Sequence, residues 1–333
     1  MDISSCAYQE MMPQAEDTKV QVQGLRHATP PLNTIYMGAR VVAGDKDQDF
    51  AAVIPRARRH SDGESLQWWG VVADGHGQGR VIELLRGLSW PAVCAEADPV
   101  RRLTGDVASL GPTVRDGATI SIARVRAGVL ECTWLGDSTM CLFKDGRRVW
   151  RSEDHTTRCK EELERAVRQG ASVLPRGQNA IKVLSATELT MVLSPLIVLG
   201  PALWGRGDLL NMTRALGHAC STKSNGSRAP PGLSHTPGRW SCTLESGHSY
   251  KLLIGTDGFW DMICPADMAI LGDVAWTTRR LADLALERWG QVWVYSHPDD
   301  KGGLSGTSER ERIGGGRDDI GLVTWAFEVG SAV

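Results

Sequence analysis

Short apolar runs bounded by turn residues recur along the chain, and this pattern predicts strands more often than helices. Strands are predicted over 36–42, 50–54, 66–73, 119–125, 129–135, 140–143, 147–150 and 320–328. The four runs between 119 and 150 follow one another closely, with Ala127-Gly128 and Asp145-Gly146 as turns, which indicates an antiparallel meander. The run over 66–73 is short and mostly apolar, as expected of a buried strand.

Helical periodicity is confined to a few segments. Helices are predicted over 80–88, 266–270 and 278–289. A further helix is expected after EDHTT, with Thr156 or Thr157 as its N-cap and Gly170 at its end. Mostly antiparallel strands with a few helices favour the α+β class.

The chain divides into a polar lead, residues 1–33, and one larger domain, residues 34–329. Two segments inside the domain are rich in Ser, Gly, Pro or charge and are predicted to be loop insertions, near 221–240 and 297–316. The stretch 171–207 gives no clear pattern. No internal repeat is evident.

Composition narrows the class of protein without identifying it. The chain has 333 residues, 42% of them hydrophobic, which is enough to bury a core. A net charge of −2 gives no electrostatic case for nucleic acid as a partner. No apolar run reaches the roughly 18 residues of a membrane span, and the N-terminus lacks a secretory pattern. The scattered cysteines, eight in all, suit reduced thiols in a cytoplasmic or nuclear protein.

The segment WGVVADGHGQG carries the most informative chemistry in the chain. Asp74 ends the predicted strand over 66–73, and Gly75, His76 and Gly77 follow at once. Glycine lets the main chain approach a ligand closely. A carboxylate, a backbone carbonyl and an imidazole so close together suit a hard cation and an acid–base group. A turn in which Asp74 only caps the next helix is an equally good interpretation of this segment alone.

Further acidic motifs share this layout, with aspartate at one end of an apolar run. They contain Asp47, Asp49, Asp137, Asp257, Asp261, Asp318 and Asp319. If Asp257 and Asp261 belong to a helical segment, their spacing places both on one face. Carboxylates gathered in one cleft repel each other unless cations are present. Oxygen ligands favour Mg²⁺ or Mn²⁺ over zinc.

The motifs also carry a family resemblance that spans residues 36 to 328. In chain order they are DQDF, ADGHG, DGATISI, WLGDST, EDHTT, LLNMTRALG, GTDGFWD and GRDDIGLV. This series resembles the metal-dependent protein serine/threonine phosphatases of type 2C. The resemblance implies a four-layer α/β/β/α sandwich, with two antiparallel sheets face to face and helices outside each. A binuclear metal cleft would lie at one end.

The resemblance also implies roles for particular residues. Asp74 would bridge two Mg²⁺ or Mn²⁺ ions, and the Gly75 carbonyl would bind the first of them. Asp257 and Asp318 would bind the second ion, and Asp49 would act through metal-bound water. Asp137 and Asp261, with Asp257, would form a looser third site. A metal-bridging hydroxide would attack phosphoserine or phosphothreonine in protein substrates.

His76 is the candidate general acid, because its pKa range suits protonation of the leaving seryl or threonyl oxygen. A structural histidine bonded to a backbone carbonyl is the alternative. Arg40 is the candidate phosphate contact, since an arginine grips phosphate with two parallel bonds. It lies nine positions before Asp49, further than the animal members of the family place it, and a surface arginine is equally compatible with the sequence. Lys46 lies closer to Asp49 in the chain, but its ammonium group cannot form the two parallel bonds of a guanidinium.

The chain departs from the family pattern at several positions near these motifs. The departures are Gln48, Gln78, His218 and Asp319, which stand where many members have Glu, Gly, Asp and Asn. None of them removes a candidate metal ligand. Arg214, in the motif TRALG, is expected to be structural.

Two hypotheses from different classes therefore remain, together with a third that shares the scaffold. One is an active protein serine/threonine phosphatase. The other is a pseudophosphatase, a binding or regulatory module that kept the fold without turnover. A third reading is a metal-dependent hydrolase of small phosphoesters on the same scaffold. The sequence leaves the physiological substrate and the oligomeric state open.

Overall fold

Strands dominate the computed structural model of this chain, which describes residues 32–55, 68–111, 115–199, 208–218, 220–222, 226–228, 232–298, 304–313 and 316–330. The strands are β1 (Leu32–Val42), β2 (Asp49–Pro55), β3 (Trp68–His76), β4 (Gly117–Ala118), β5 (Ile120–Arg126), β6 (Val129–Leu135), β7 (Thr139–Lys144), β8 (Arg147–Arg151), β9 (Ser172–Val183), β10 (Glu188–Leu199), β11 (Asp208–Leu210), β12 (Leu216–Gly217), β13 (Cys220–Thr222), β14 (Gly226–Arg228), β15 (Gly238–Thr243), β16 (Ser249–Gly255), β17 (Val292–Pro298), β18 (Leu304–Arg312) and β19 (Ile320–Val329). The helices are α1 (Arg80–Gly87), α2 (Trp90–Ala95), α3 (Pro99–Ala108), α4 (Lys160–Arg168), α5 (Asp257–Trp260), α6 (Met268–Gly272) and α7 (Thr278–Gly290), with a 3-10 turn over Pro265–Asp267.

Two large antiparallel sheets form the framework. The first has the strand order β1-β19-β16-β7-β8, and the second β12-β4-β3-β5-β6-β15, with β2 also paired to β3. The meander predicted between 119 and 150 is present, but it passes from one sheet to the other: β5 and β6 belong to the second sheet, β7 and β8 to the first. The connection between β6 and β7 therefore lies at one end of both sheets.

The two sheets pack face to face through alternate apolar side chains, as in other aligned sandwiches. The shared core includes Val72, Leu130, Trp134, Met140, Leu142, Leu252, Ile254, Val323, Trp325 and Phe327. The rings of Trp325 and Phe327 lie 4.6 Å apart between centroids. Burial of each such large side chain stabilises the fold by about 1.5–3 kcal/mol.

Helices cover the outer face of each sheet. On the second sheet, α1, α2 and α3 bury residues such as Val81, Leu85 and Leu103 against β3 and β5. On the first sheet, α5 to α7 bury Phe259, Leu281 and related side chains against β7, β16 and β19. These four layers confirm the fold class expected from the resemblance.

A third, smaller sheet lies beside the sandwich. Its order is β11-β10-β17-β18, with β9 also on β10. The strands β9 and β10 occupy most of the described part of the stretch 171–207, for which no element was predicted, and β10 pairs in parallel with β17 over Glu188–Thr190.

Three sequence predictions about local structure are wrong. Helix α4 begins at Lys160 with Cys159 as its N-cap, because Thr156 forms a bridge to Met212 and Thr157 donates to the Pro195 carbonyl. The predicted loop over 221–240 includes β14 and the start of β15. The predicted insertion over 297–316 includes β18, which pairs with β17. Strand pairing overrides the polar composition in both places, with β13 and β6 as partners in the first segment and β17 as the partner in the second.

Other predictions from the sequence concern residues that the structure describes only in part. The lead over 1–33 lies outside the described residues, apart from Leu32 and Asn33 at the start of β1. Cys94, Cys132, Cys141, Cys159, Cys242 and Cys264 are free thiols. No helix in the described ranges is long and apolar enough to cross a membrane.

A buried ion-pair hub joins α4 to the segment that precedes β12. The Glu162 side chain is 6% exposed and accepts hydrogen bonds from Thr213, Arg165 and Arg214. Burial alone would raise the pKa of Glu162, but the hydrogen bonds from Arg214, Thr213 and Arg165 lower it to about 2. Arg214 also donates to the Thr236 carbonyl. Its contacts are thus structural, as the sequence indicated.

Glu162→Gln is expected to destabilise the fold by roughly 2–4 kcal/mol at neutral pH, because Arg165 and Arg214, whose side chains are 18% and 20% exposed, lose their counter-charge. A carboxylate whose pKa is depressed in the folded state stabilises above its unfolded pKa and loses that effect as pH falls. The difference between wild type and variant should therefore shrink from pH 4.5 towards about 2. Urea unfolding across this range measures it. Glu164→Gln, an exposed change on the same helix, should shift stability by less than about 1 kcal/mol.

Candidate metal centre

Aspartates from both sheets lie at the same end of the sandwich. In the second sheet Asp49 begins β2 and lies directly opposite Asp74 in β3. Asp49 is 2% exposed, and one of its carboxylate oxygens accepts a 2.8 Å hydrogen bond from the Thr256 hydroxyl. Thr256 immediately precedes Asp257 at the end of β16, so this bond ties the two sheets together at the candidate site.

The first sheet contributes its acids from the ends of β16 and β19. Asp257 is the first residue of α5, and Asp261 follows that short helix, with its N–H 2.7 Å from the Asp257 carbonyl. The helical spacing expected for this pair is confirmed. Asp318 lies just before β19, and Asp137 lies in the connection between β6 and β7 with 6% exposure. Five of the six predicted acidic ligands thus lie at or next to a strand end, and Asp261 follows the helix α5.

Mutual repulsion shows that these carboxylates are close enough to interact. Burial, followed by repulsion from Asp74, raises the pKa of Asp49, Asp257 and Asp318. Burial together with repulsion from neighbouring aspartates also raises the pKa of Asp137 to about 6. Burial raises the pKa of Asp261 to about 8, although Arg158 opposes the shift. The structure therefore brings all six carboxylates into one electrostatic cluster, which we call the Asp cluster.

His76 belongs to the Asp cluster as the last residue of β3. Its Nε2 lies 3.5 Å from an Asp74 carboxylate oxygen. Burial alone would lower the pKa of His76, but attraction to Asp74 and a hydrogen bond with it raise that pKa. The ring of His218, which the sequence marked only as a departure, lies 5.9 Å from the His76 ring. Burial and repulsion from His76 lower the pKa of His218 to about 4, so it is neutral near pH 7.

The glycines beside Asp74 are required by two different constraints. Gly75 is in an extended strand, but a Cβ there would lie 2.3 Å from Ile82 Cγ1 and 2.8 Å from the Gln48 carbonyl oxygen. Gly77 has φ of 92°, which side chains disfavour. Asp116 then holds the turn by accepting from the N–H groups of Gln78 and Arg80. The motif is therefore both a strand–helix turn and a wall of the Asp cluster.

A short loop brings a cation to the Asp cluster. Asp319 accepts hydrogen bonds from the backbone N–H groups of Gly44, Asp47 and Gln48, and so fixes the loop that precedes β2. This loop places Lys46 Nζ 3.4 Å from an Asp318 oxygen. Burial alone would lower the pKa of Lys46, but Asp318, Asp74 and Asp257 raise it. Sequence reasoning gave no role to Asp319, although the doubled acid beside Asp318 was a visible signal.

Arg40, the predicted phosphate contact, is not brought to the Asp cluster. It lies in β1 opposite Leu322, and its Nη1 is 2.7 Å from an Asp283 carboxylate oxygen in α7. It also donates to the Arg279 carbonyl. The guanidinium thus binds the outer helix layer, and the structure does not support it as a phosphate ligand. The reason is strand alternation, which directs this side chain to the helix-covered face.

The donor set of the Asp cluster fits hard divalent cations. Its side-chain donors are carboxylate oxygens, the preferred ligands of Mg²⁺ and Mn²⁺. Within the described ranges, the one trio of acidic, sulfur or imidazole donors within 4.8 Å of one another is Glu153, Cys159 and Glu161, outside this cluster. No three of the aspartates in the Asp cluster have carboxylate oxygens that all lie within 4.8 Å of one another. Mg²⁺ keeps several waters and needs only one or two carboxylates, so wider spacing suits it.

The Glu153–Cys159–Glu161 trio has a simpler explanation. The Cys159 thiol donates to both carboxylates at 3.3 Å. Burial and these hydrogen bonds raise the pKa of Cys159 to about 11. A thiol that keeps its proton is a poor metal ligand.

A cleft of about 700 Å³ opens beside the Asp cluster. Asp137, Asp257 and Asp261 line one part of it. Side chains from β8, β9 and α6 line the rest, so the cleft runs between the first sheet and the smaller third sheet. A substrate could reach the carboxylates along this cleft.

The model of the protein phosphatase 2C family matches residues 98–271, which is more than half of the chain. This chain belongs to the protein phosphatase 2C family. No curated protein sequence matches it.

Two solved structures share the fold at low sequence identity. One is a C. elegans sex determining protein, 18% identical with a TM-score of 0.54, over 88% of this chain and 65% of that one. This chain therefore spans less than two thirds of that protein's length. The other is a serine-threonine phosphatase 2C from Toxoplasma gondii, 17% identical with a TM-score of 0.53, over 91% of this chain and 98% of that one.

Mn²⁺ is expected to raise the melting temperature of the metal-free protein, because it neutralises carboxylates that otherwise repel one another. A ligand at 100 times its dissociation constant stabilises by about 2.7 kcal/mol, enough for a shift of several degrees. Thermal unfolding with Mn²⁺ and then EDTA measures the shift. Asp74→Asn and Asp257→Asn should lose most of it, whereas Asp283→Asn, on α7, should keep it. An equal shift in all variants would contradict the assignment.

Proposed function

We propose that this protein hydrolyses phosphoserine and phosphothreonine in proteins with the help of two Mg²⁺ or Mn²⁺ ions held by the Asp cluster. The observation that carries the proposal is the convergence of six aspartates from both sheets beside His76. Membership of the protein phosphatase 2C family supports the reaction class. Such ions would neutralise phosphoryl oxygens and make a water nucleophilic near neutral pH.

The residues of the Asp cluster would have different roles, according to where they lie. Asp74 and the Gly75 carbonyl would hold the ions together with Asp257 and Asp318. Asp49, whose carboxylate accepts a hydrogen bond from the Thr256 hydroxyl, would act on an ion through an intervening water. Asp137 and Asp261, on the cleft side, would form a looser third site.

His76 would supply the proton that the departing seryl or threonyl oxygen needs. Its contact with Asp74 favours the protonated ring, which is the form a general acid requires. The buried, neutral His218 ring packs beside it and limits its orientation. Leaving-group protonation matters most for alkyl esters such as phosphoserine, because an alkoxide is a poor leaving group.

Turnover of a phosphothreonine peptide is expected to require Mn²⁺ or Mg²⁺ and to stop with EDTA. Asp74→Ala and Asp257→Ala should each lower kcat/KM by at least about 100-fold, since even residues that only support metal ligands typically matter 10- to 100-fold. Circular dichroism should show an intact fold in each. The matched control Asp283→Ala removes an aspartate from the outer helix layer and should retain turnover.

Three outcomes of this assay separate the alternatives. Activity that survives EDTA would contradict the proposed mechanism. A folded protein that binds Mn²⁺ but turns over no substrate would favour the pseudophosphatase. Hydrolysis of p-nitrophenyl phosphate without hydrolysis of any phosphopeptide would favour a small-phosphoester hydrolase.

Lys46 would contact the substrate phosphate in the place first considered for Arg40. Its ammonium group lies 3.4 Å from Asp318 and is 62% exposed, so a phosphoryl oxygen entering the Asp cluster can reach it. The loop that holds it is fixed by Asp319, so the cation is presented from a defined backbone position. A lysine binds phosphate as a point charge and gives less geometric control than an arginine fork.

Lys46→Ala is expected to raise KM for p-nitrophenyl phosphate by roughly threefold to tenfold, the value of one exposed charge contact or slightly more. Lys46→Arg should restore most of the loss, because the positive charge remains. Steady-state kinetics at saturating Mn²⁺ measures both variants. Lys160→Ala, an exposed lysine on α4, is the matched control. An unchanged KM in Lys46→Ala would remove Lys46 from the site.

A further inference from the structure

The cleft beside the Asp cluster has walls of opposite charge. Its acidic end is formed by Asp137, Asp257 and Asp261. The cleft is also lined by Asp154 and by the cations Arg148, Arg151, Arg158 and Lys182. Of these, Arg158 and Asp154 lie close enough to Asp137 and Asp261 to shift the pKa of both carboxyls. Arg148 and Arg151 come from β8, and Lys182 comes from β9 on the facing hairpin. Two separate elements therefore direct positive charge into one cleft.

Three of these four cations form no ion pair with a described residue. Arg151 pairs with Asp154 at 2.7 Å. Arg148 donates to the Met268 sulfur at 3.7 Å, and within the described part of the chain neither it, Lys182 nor Arg158 lies within ion-pair distance of a carboxylate. Surface cations are commonly solvated, but here unpaired cations on both walls face the same space. That arrangement gives the far part of the cleft a positive potential.

The lining between the two ends is apolar and wide enough for a peptide. Trp260, Ile263 and Met268 lie along it, with Ile181 and Val192 on the hairpin side. A cleft of 700 Å³ would be about 11 Å across if spherical, which an extended peptide spans in about three residues at roughly 3.3 Å each. A phosphoresidue at the Asp cluster would therefore place a residue two or three positions away near Arg148 and Lys182.

We propose that Arg148 and Lys182 bind a second anionic group of the substrate, a phosphoryl or carboxylate group two or three residues from the phosphoresidue at the Asp cluster. This inference rests on the proposed function for the identity of the first phosphate. Once cations occupy the Asp cluster, the cleft as a whole carries excess positive charge, and an acidic or doubly phosphorylated segment complements it. The protein would then select phosphoproteins by the charge flanking the target residue.

The test compares binding of matched peptides, so that it does not depend on turnover. Each peptide carries a non-hydrolysable phosphonate at the target position and Ala, Glu or phosphoserine at one flanking position, two or three residues before or after it. Fluorescence anisotropy with Mn²⁺ gives Kd for the wild type, for Arg148→Ala/Lys182→Ala, and for the control Arg147→Ala/Lys160→Ala. The control removes one exposed arginine and one exposed lysine outside the cleft.

The wild type is expected to bind the best flanking phosphoserine peptide roughly fivefold to tenfold more tightly than its Ala counterpart, as two exposed charge pairs allow. The Glu peptide should lie between them. The preference should fall to less than about twofold in Arg148→Ala/Lys182→Ala, remain in the control, and weaken as salt rises from about 50 mM to about 500 mM.

Equal affinity of the wild type for all peptides would overturn the inference, and so would a preference that the double variant keeps. Hydrolysis of p-nitrophenyl phosphate by the same preparation tests the proposed function separately. An inactive protein that still shows the charge preference would refute only the proposed function. An active protein without the preference would refute only the second anionic subsite.

Discussion

Repulsion between like charges at one end of the sandwich is the constraint on which the rest of this structure depends. Two carboxylates 4 Å apart repel by about 4 kcal/mol at an effective dielectric constant near 20. On flexible loops, such groups would move apart. Here each aspartate of the cluster lies at or near a strand end, except Asp261, which directly follows α5, and those strands are fixed by the core shared between the two sheets. The packing of the sandwich is therefore what keeps the acids together.

Neutral and acidic side chains next to the cluster complete this support. Thr256 joins Asp49 to the end of the opposite sheet, and Asp319 ties the loop before β2 to the start of β19. Asp116 fixes the turn that follows His76. None of these residues needs to touch a substrate, but each sets the position of one that would. The chemistry proposed for the site depends on this second layer as much as on the ligands.

Much of the sandwich could be predicted from the sequence because its strands are apolar, short and separated by turn residues. The resemblance in motif order then supplied the layer arrangement and the identity of the acids, and the structure brings those acids together. The third sheet could not be predicted, since β18 has no apolar residue after Leu304 except Gly306 and is a strand through its pairing with β17. The structure does not place Arg40 at the Asp cluster, for a related reason. The number of positions between Arg40 and Asp49 does not indicate on which face of β1 the Arg40 side chain lies.

Two positions that the sequence showed only as departures acquire meaning from three-dimensional contacts. Asp319 replaces a residue type common in the family and acts as an acceptor for three backbone N–H groups. His218 packs against His76, although nearly 140 positions separate them in the chain. Local pattern cannot reveal either contact, because each depends on how β12 and the loop before β2 pack against the sandwich.

The pairing of β1 with β19 joins the beginning of the described chain to its end. Asp49 and Asp74 are synthesised early, yet Asp318, which completes their surroundings, emerges from the ribosome nearly 250 residues after Asp74. Long-range pairing of this kind forms late in folding. A nascent chain would thus carry half of a charged site without its other half, and hydrolytic capacity would appear only when the last central strand had inserted. The proposed hydrolytic activity would therefore require the complete fold.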